Sequence, residues 1–344
     1  PDLLGSLGID KQRIKKHSVD APYLYRIFST ASLTKLFYTM KNSEDYDDWK
    51  VKNSNMKFYD NINDLFKEVY SGGRVEIFKH GIIKDKKIIY WDFASLYPHT
   101  SYLCNVESLM SDLLDKKLDF ISDREMIEKK FFEMVGNIAS KIKNKQPLEK
   151  SDFSNSAVLN VSSYIDLRLS RRASVYRGKV KTDINKRSRC DLILENSKFN
   201  TSIYDLCYAV LEKHLIDNVS LEELREVVRI NKGLMVIPSS KTDKSNDMHT
   251  KLYDKRNEIT KEIKKLTDIT KIKHLKNQSQ FIKIILNAGY GITAEFKNEK
   301  AGQFYNPILA SSITAMARLL NNLIEINTKY EGFEVYYGDT DSCF

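Results

Sequence analysis

From Arg74 the hydrophobic and polar positions alternate. Arg-Val-Glu-Ile-Phe leads to a break at Gly81, and Lys-Lys-Ile-Ile-Tyr follows up to Tyr90. A period of two rich in β-branched and aromatic residues predicts two strands joined by a turn, so that Asp92 begins its motif at a strand end. Ser220-Leu-Glu-Glu223 has the form of a capping box and predicts the start of a short helix. Residues 252–266 and 272–286 carry apolar positions at helical spacing on either side of Thr267-Asp268, so an antiparallel helical hairpin is expected. A further helix is predicted over about residues 310–326, then a strand over 334–337 that enters the turn Gly338-Asp-Thr-Asp341.

Elsewhere the pattern fades. Residues 1–69 mix short apolar runs with basic clusters such as Lys11-Gln-Arg-Ile-Lys-Lys16 and carry no motif with evident chemistry. Residues 105–205 are polar, poor in periodicity and basic around Arg168, Arg171, Arg172, Arg177, Lys179, Lys181, Lys186, Arg187 and Arg189. This stretch reads as an inserted subdomain or basic segment, with a solvated charged face as the plain alternative. The 344 residues, 42% of them hydrophobic, are enough for two domains with their own cores. Lys and Arg outnumber Asp and Glu by 55 to 46, a net charge of +9 that favours a polyanionic partner. Cys104, Cys190, Cys207 and Cys343 form no C-x-x-C pair, so neither a zinc site nor a disulfide framework is indicated and a reducing, intracellular setting fits. No apolar run reaches the roughly 18 residues of a membrane helix, and no membrane partner is expected. The start at Pro1 lacks Met and a signal pattern, and the last residues stop within a hairpin, so the chain is expected to continue past both ends.

Three elements carry chemistry. In Tyr337-Gly338-Asp339-Thr340-Asp341-Ser342 an aromatic strand runs into a turn with two carboxylates at i and i+2, an arrangement that is costly without cations. A surface hairpin turn is the bland reading. Asp92 stands at a second strand end, opening Asp92-Phe-Ala-Ser-Leu-Tyr-Pro98. If the two strand ends lie side by side in one sheet, Asp92 and Asp341 can hold two Mg²⁺ ions, the arrangement suited to phosphoryl transfer, and the N–H groups of Ser95 and Leu96 can cradle a triphosphate. Lys283, Asn287 and Tyr290 stand at i, i+4 and i+7 and share one helix face. A cation, an amide and an aromatic on one stripe suit the phosphate, sugar and base of a nucleotide; Gly289-Tyr290-Gly291 is expected to end that helix.

In this order the elements resemble motifs A, B and C of the family B DNA polymerases: Asp-x-x-Ser-Leu-Tyr-Pro at 92–98, Lys-x-x-x-Asn-x-x-Tyr-Gly at 283–291 and Tyr-Gly-Asp-Thr-Asp-Ser at 337–342. Tyr70-Ser-Gly-Gly73 resembles the Tyr-x-Gly-Gly element that precedes the palm and touches template, and Leu309-Ala-Ser-Ser-Ile-Thr-Ala315 with Arg318 resembles the helix between B and C. The resemblance covers about residues 70–105 and 205–344. It implies an α+β fold, a palm of antiparallel sheet and helices with a helical-hairpin fingers subdomain. The expected layout is a lead-in remnant at 1–69, palm at 70–104, 206–245 and 292–344, a basic insertion at 105–205 and fingers at 246–291. The thumb would lie beyond Phe344, which would leave the 344 residues alone inactive.

The implied activity is template-directed DNA synthesis, by transfer from a dNTP to a primer 3′-hydroxyl on a DNA primer–template. Residue by residue, the resemblance implies Asp92 and Asp341 as ligands of two Mg²⁺, with Mn²⁺ as a substitute, Phe93 as a ligand through its carbonyl and Asp339 as a supporting carboxylate. Lys283 and Arg256 would meet the triphosphate, Asn287 and Tyr290 the nucleotide and Tyr97 the sugar, while Tyr70, Gly72, Gly73 and Gly291 would face DNA. Arg256 departs from the pattern, since the family's second finger cation lies one turn on, where Thr260 stands beside Lys261. The proofreading Asp-x-Glu is matched only by Asp123-Arg124-Glu125, after motif A, where Ser122 reads as the start of an ordinary capping box. The long interval from Asp92 to Lys283 matches the protein-primed branch, for which a terminal protein would be a further partner; an unrelated insertion is the alternative. A reverse transcriptase would place the two turn aspartates side by side, and here Thr340 separates them. The reading from another class is a non-catalytic nucleic-acid-binding remnant, against which Asp92, Lys283 and Asp341 all stand intact.

Overall fold

The computed structural model describes Gln12 and residues 30–79, 81–154, 156–163, 173–176, 179–180, 198–239, 248–297 and 300–344. In chain order the elements are α1 (Thr30–Asn42), α2 (Tyr46–Ser54), α3 (Asp60–Val69), β1 (Val75–Ile77), β2 (Trp91–Asp92), α4 (Leu96–Leu103), α5 (Val106–Leu114), β3 (Asp119–Ile121) and α6 (Arg124–Lys143). They continue with β4 (Ala157–Ser163), β5 (Ala173–Tyr176), β6 (Lys179–Val180), β7 (Lys198–Ser202), α7 (Ile203–Leu215), α8 (Leu221–Val227), β8 (Val228–Ile237), α9 (Met248–Ile263) and α10 (Ile269–Thr293). Last come β9 (Phe296–Lys297), β10 (Lys300–Ala301), α11 (Pro307–Tyr330), β11 (Tyr337–Asp339) and β12 (Ser342–Cys343). Every strand pairing among the described residues is antiparallel, in sheets ordered β2-β12-β11-β1-β5-β6, β3-β8-β4-β7 and β9-β10. The fold is α+β.

The chain forms two compact units. The first comprises Pro1–Asp64, Tyr97–Leu118 and Pro238–Ala310. Its core joins the helical hairpin to α1: Leu252 and Ile259 of α9 and Ile282, Ile285 and Leu286 of α10 are buried with Leu33 and Phe37. Each such side chain contributes about 1.5–3 kcal/mol on burial, whereas an exposed ion pair such as Lys255–Glu258 is worth about 0.2–1. The apolar face therefore docks the hairpin, and its many lysines are carried on the solvent side. Asp268 caps α10 by accepting from the N–H groups of Thr270 and Lys271.

The second unit comprises Leu65–Leu96, Asp119–Ile237 and Ser311–Phe344 and holds the four- and six-stranded sheets. α6 buries Ile127, Phe131, Val135, Ile138 and Ile142 along one stripe, and α7 is buried nearly all round. Arg318 of α11 meets Asp205 in a two-pronged bond, Nε to Oδ1 at 2.9 Å and Nη2 to Oδ2 at 2.7 Å.

Several expectations are corrected. Only the first of the two strands expected before Asp92 forms. Residues 86–90 are not a strand, Ile88 and Trp91 are 50% and 57% exposed, and β1 pairs with β11 and β5 instead of folding back on β2. The apolar run Ile88–Tyr90 leads exposed into β2, a two-residue edge strand, and the ring of Tyr90 packs against Phe344 with centroids 4.8 Å apart. Of the described elements within residues 105–205, α5 belongs to the first unit, while α6, β4 and β7 belong to the second. The basic residues singled out there, Lys179 excepted, lie outside the described residues, as do Lys11 and the cluster at 13–16. Residues 30–64, read as a lead-in without motif, build the first unit's core with Leu33, Phe37 and Trp49. The cap of α6 is Asp123, which accepts from Met126 N–H, so the helix starts one residue later than Ser122 implied. Gly289-Tyr290-Gly291 does not end α10, which runs on to Thr293. Gly289 is there for close packing: a Cβ would stand 2.9 Å from Nε2 of the buried His249.

Candidate functional site

In the second unit the two acidic strand ends lie in one sheet. β12 runs between β2 and β11, with Asp92 opposite Ser342 and Ser342 opposite Asp339. Directly opposed residues share a face, so Asp92, Ser342 and Asp339 form one row across three strands. Asp341 sits in the two-residue loop beside that row, and the Phe93 N–H donates to its carbonyl at 2.8 Å, extending the ladder past Asp92. Asp92 and Asp341 are exposed and Asp339 is half-buried. The three carboxylates differ in surroundings. Asp339 accepts from the Tyr337 hydroxyl at 3.0 Å and from the Thr340 hydroxyl at 3.1 Å, one bond to each oxygen, so it is braced inside the hairpin.

Tyr90, which the sequence reading passed over, lies in the field of both exposed carboxylates. Desolvation and then the negative charge of Asp92, to which it is hydrogen-bonded, followed by that of Asp341, hold its hydroxyl above the ordinary tyrosine range. Burial, followed by the bond to Asp339, likewise raises Tyr337. Tyr90's placement two residues before Asp92 was the available sequence signal. After Phe93 the chain turns through Ser95, whose φ is +62°, and Leu96 opens α4, whose first N–H groups have no acceptor within the helix. No group of three or more His, Cys, Asp and Glu side chains is arranged to hold a metal among the described residues. Mg²⁺, however, is ordinarily held by one or two carboxylates together with waters and substrate phosphates. Hard oxygen donors, two carboxylates on adjacent exposed chain segments, fit that need.

The Tyr70–Gly73 loop is anchored in the same unit. Arg318 Nη1 donates to the carbonyls of Ser71 at 2.6 Å and Gly72 at 2.9 Å. Tyr70, Gly72 and Gly73 themselves are exposed. The Arg318–Asp205 support was missed because Asp205 stands in no motif and lies far from Arg318 in the chain.

In the first unit Lys283 and Asn287 are exposed on α10 and Tyr290 is half-buried on the same stripe, which flanks the buried face of Ile282, Ile285 and Leu286. Tyr290 is stacked on Tyr97 of α4, with ring centroids 4.6 Å apart and planes at 11°. Arg256 is half-exposed on α9. Gly291 faces open space, so packing does not account for that glycine as it does for Gly289.

Residues 201–344 match the sequence model of DNA polymerase family B. A stretch of 69 residues, 20% of this chain and 8% of the other, is 41% identical to DNA polymerase II of Escherichia coli (strain K12). Among solved structures, the orthorhombic crystal form of phi29 DNA polymerase aligns over 82% of this chain and 43% of its own, at 15% identity and a TM-score of 0.39. The chain thus spans less than half the length of each. The stretch that matches the family model takes in the Lys283–Asn287–Tyr290 stripe of α10, α11 and the whole β11–β12 hairpin.

Proposed function

We propose that the protein carrying this chain performs template-directed DNA synthesis, transferring a nucleotide from a dNTP to the 3′-hydroxyl of a primer by the two-metal route. The observation that supports this reading best is the adjacency of β2 and the β11–β12 hairpin, which puts the exposed Asp92 and Asp341 on neighbouring segments of one sheet edge. Two divalent cations, when bound there, would neutralise the charge on the attacking and leaving oxygens. Asp92 and Asp341 would hold them, with the Phe93 carbonyl as a third donor. Asp339, braced by Tyr337 and Thr340, would shape the hairpin and add its field. Lys283 would take the triphosphate charge that grows as pyrophosphate leaves, with Asn287 orienting the nucleotide. Template and primer would run over the Tyr70–Gly73 loop. Extension of a primed DNA template with dNTPs and Mg²⁺ tests the reading, and its absence in the full-length protein would overturn it.

Two predictions belong to the first unit. Lys283→Ala should lower kcat/KM for dNTP by about 10²-fold, the size of effect expected on removing one donor to developing charge. Unchanged pre-steady-state kinetics would take the α9–α10 hairpin out of the reaction. Tyr97 is expected to occupy the space a 2′-hydroxyl needs, so Tyr97→Val should raise ribonucleotide relative to deoxyribonucleotide incorporation by about tenfold or more, the cost of relieving one steric clash. Its stack with Tyr290 supplies the alternative: a ring that serves packing alone would, when lost, depress both precursors equally. Parallel single-turnover measurements with both precursors separate the two, and an unchanged ratio removes the gate.

A further inference from the structure

Thr340, the first loop residue of the β11–β12 hairpin, has φ +45°. Two-residue hairpin loops take positive φ readily at Gly, Asn or Asp, whereas a β-branched residue held there is strained and persists only where its surroundings impose it. The surroundings do so from three sides. The Thr340 N–H donates to the Arg74 carbonyl at 2.7 Å. Asn321 of α11, 2% exposed, donates its Nδ2 to the carbonyls of Thr340 at 3.3 Å and Ser342 at 3.1 Å. On the third side stands Gly73, where a Cβ would come 2.8 Å from both Cγ2 and Oγ1 of Thr340 and 3.1 Å from its Cβ. Arg74 is itself fixed, with its guanidinium bonded to Glu76 at 2.6 Å, Glu325 at 2.6 Å and the Tyr208 hydroxyl at 3.2 Å.

We propose that Gly73, Arg74 and Asn321 are positioning residues for the carboxylate hairpin: they clamp Thr340 in its left-handed conformation and thereby fix the direction in which the backbone presents Asp341. The proposal rests on the two-carboxylate reading above. It assigns Gly73 a purpose other than touching DNA, because the missing side chain makes room for Thr340. A branched side chain is not a flexible tip that can swing away, so an added methyl at Gly73 must move the turn itself.

The test is a double-mutant cycle in the full-length protein, with Asp92→Asn as control. Gly73→Ala should lower kcat about tenfold or more and weaken Mn²⁺ binding to the DNA-free protein, read by electron paramagnetic resonance, while DNA affinity changes less than about threefold. Thr340→Gly removes the atoms that collide and accepts the positive φ, so in its presence Gly73→Ala should cost less than about threefold. Asn321→Leu, which keeps volume but removes the donor, should repeat the Gly73→Ala pattern, with a thermal melt to show that the variant is folded. A Gly73→Ala loss that Thr340→Gly does not relieve, accompanied by weakened DNA binding, would make Gly73 a DNA contact and overturn the proposal. Undiminished Mn²⁺ binding in both Gly73→Ala and Asn321→Leu would overturn it too. An active Asp92→Asn protein would instead remove the two-carboxylate reading on which it rests.

Discussion

Asp92→Asn and Asp341→Asn should each reduce nucleotide addition by about 10³-fold or more, since several kcal/mol of charge stabilisation are lost at about 1.36 kcal/mol per decade of rate. The amide keeps the shape of the carboxylate and removes its charge, so the sheet edge should remain folded and DNA binding should stay largely intact. The structure adds a contrast within the same hairpin. Asp339 already accepts one hydrogen bond on each oxygen, from Tyr337 and Thr340, so Asp339→Asn should act mainly by disturbing those bonds and cost less than either of the other two. Single-turnover addition of one dNTP, with DNA affinity measured in parallel, gives all three values. Near-normal turnover by Asp92→Asn or Asp341→Asn would show that these carboxylates do not carry the metals.

Asp205→Ala should destabilise the protein by about 3–5 kcal/mol, the cost of leaving one member of a buried ion pair without its partner. Arg318 is 4% exposed and Asp205 5%, so the guanidinium left behind cannot turn to water. Asp205 also takes part in the cap of its own helix, its N–H donating to the hydroxyl of the N-cap Ser202 at 3.0 Å while its Oδ2 accepts from that hydroxyl at 2.8 Å. Arg318 would keep its bonds to the Ser71 and Gly72 carbonyls but lose the anchor that aims it. Replacing both members by apolar residues, Asp205→Leu with Arg318→Met, should recover much of the stability, because the uncompensated charge disappears with its partner. The Tyr70–Gly73 loop would still be unanchored, so recovered stability should not restore synthesis in full. Urea denaturation of the two variants checks the stability terms. A loss below about 1 kcal/mol for Asp205→Ala, the range of an exposed pair, would show the pair to be solvated.

The sequence by itself determined the elements whose reason is local. The helical hairpin was legible from the spacing of Leu252, Ile259, Ile282 and Leu286, the capping box at Ser220 from two side chains three residues apart, and the acidic turn from the crowding of Asp339 and Asp341. The shared stripe of Lys283, Asn287 and Tyr290 followed from the helical repeat alone. The pattern misled where burial did not accompany it: the β-rich run Ile88–Tyr90 reads like a strand but lies exposed, and α6 keeps its apolar stripe amid a run of charge that masked it. Only tertiary structure decided which strands neighbour each other, that β12 stands between Asp92 and Asp339, that Tyr97 stacks on Tyr290, and that Asp205, Arg318, Asn321 and Gly73 serve loops distant in the chain. The reason is physical. A cap, a turn or a helix face is set by interactions within a few residues, whereas strand neighbours, buried ion pairs and the room a glycine leaves depend on chain segments that meet only when the core closes.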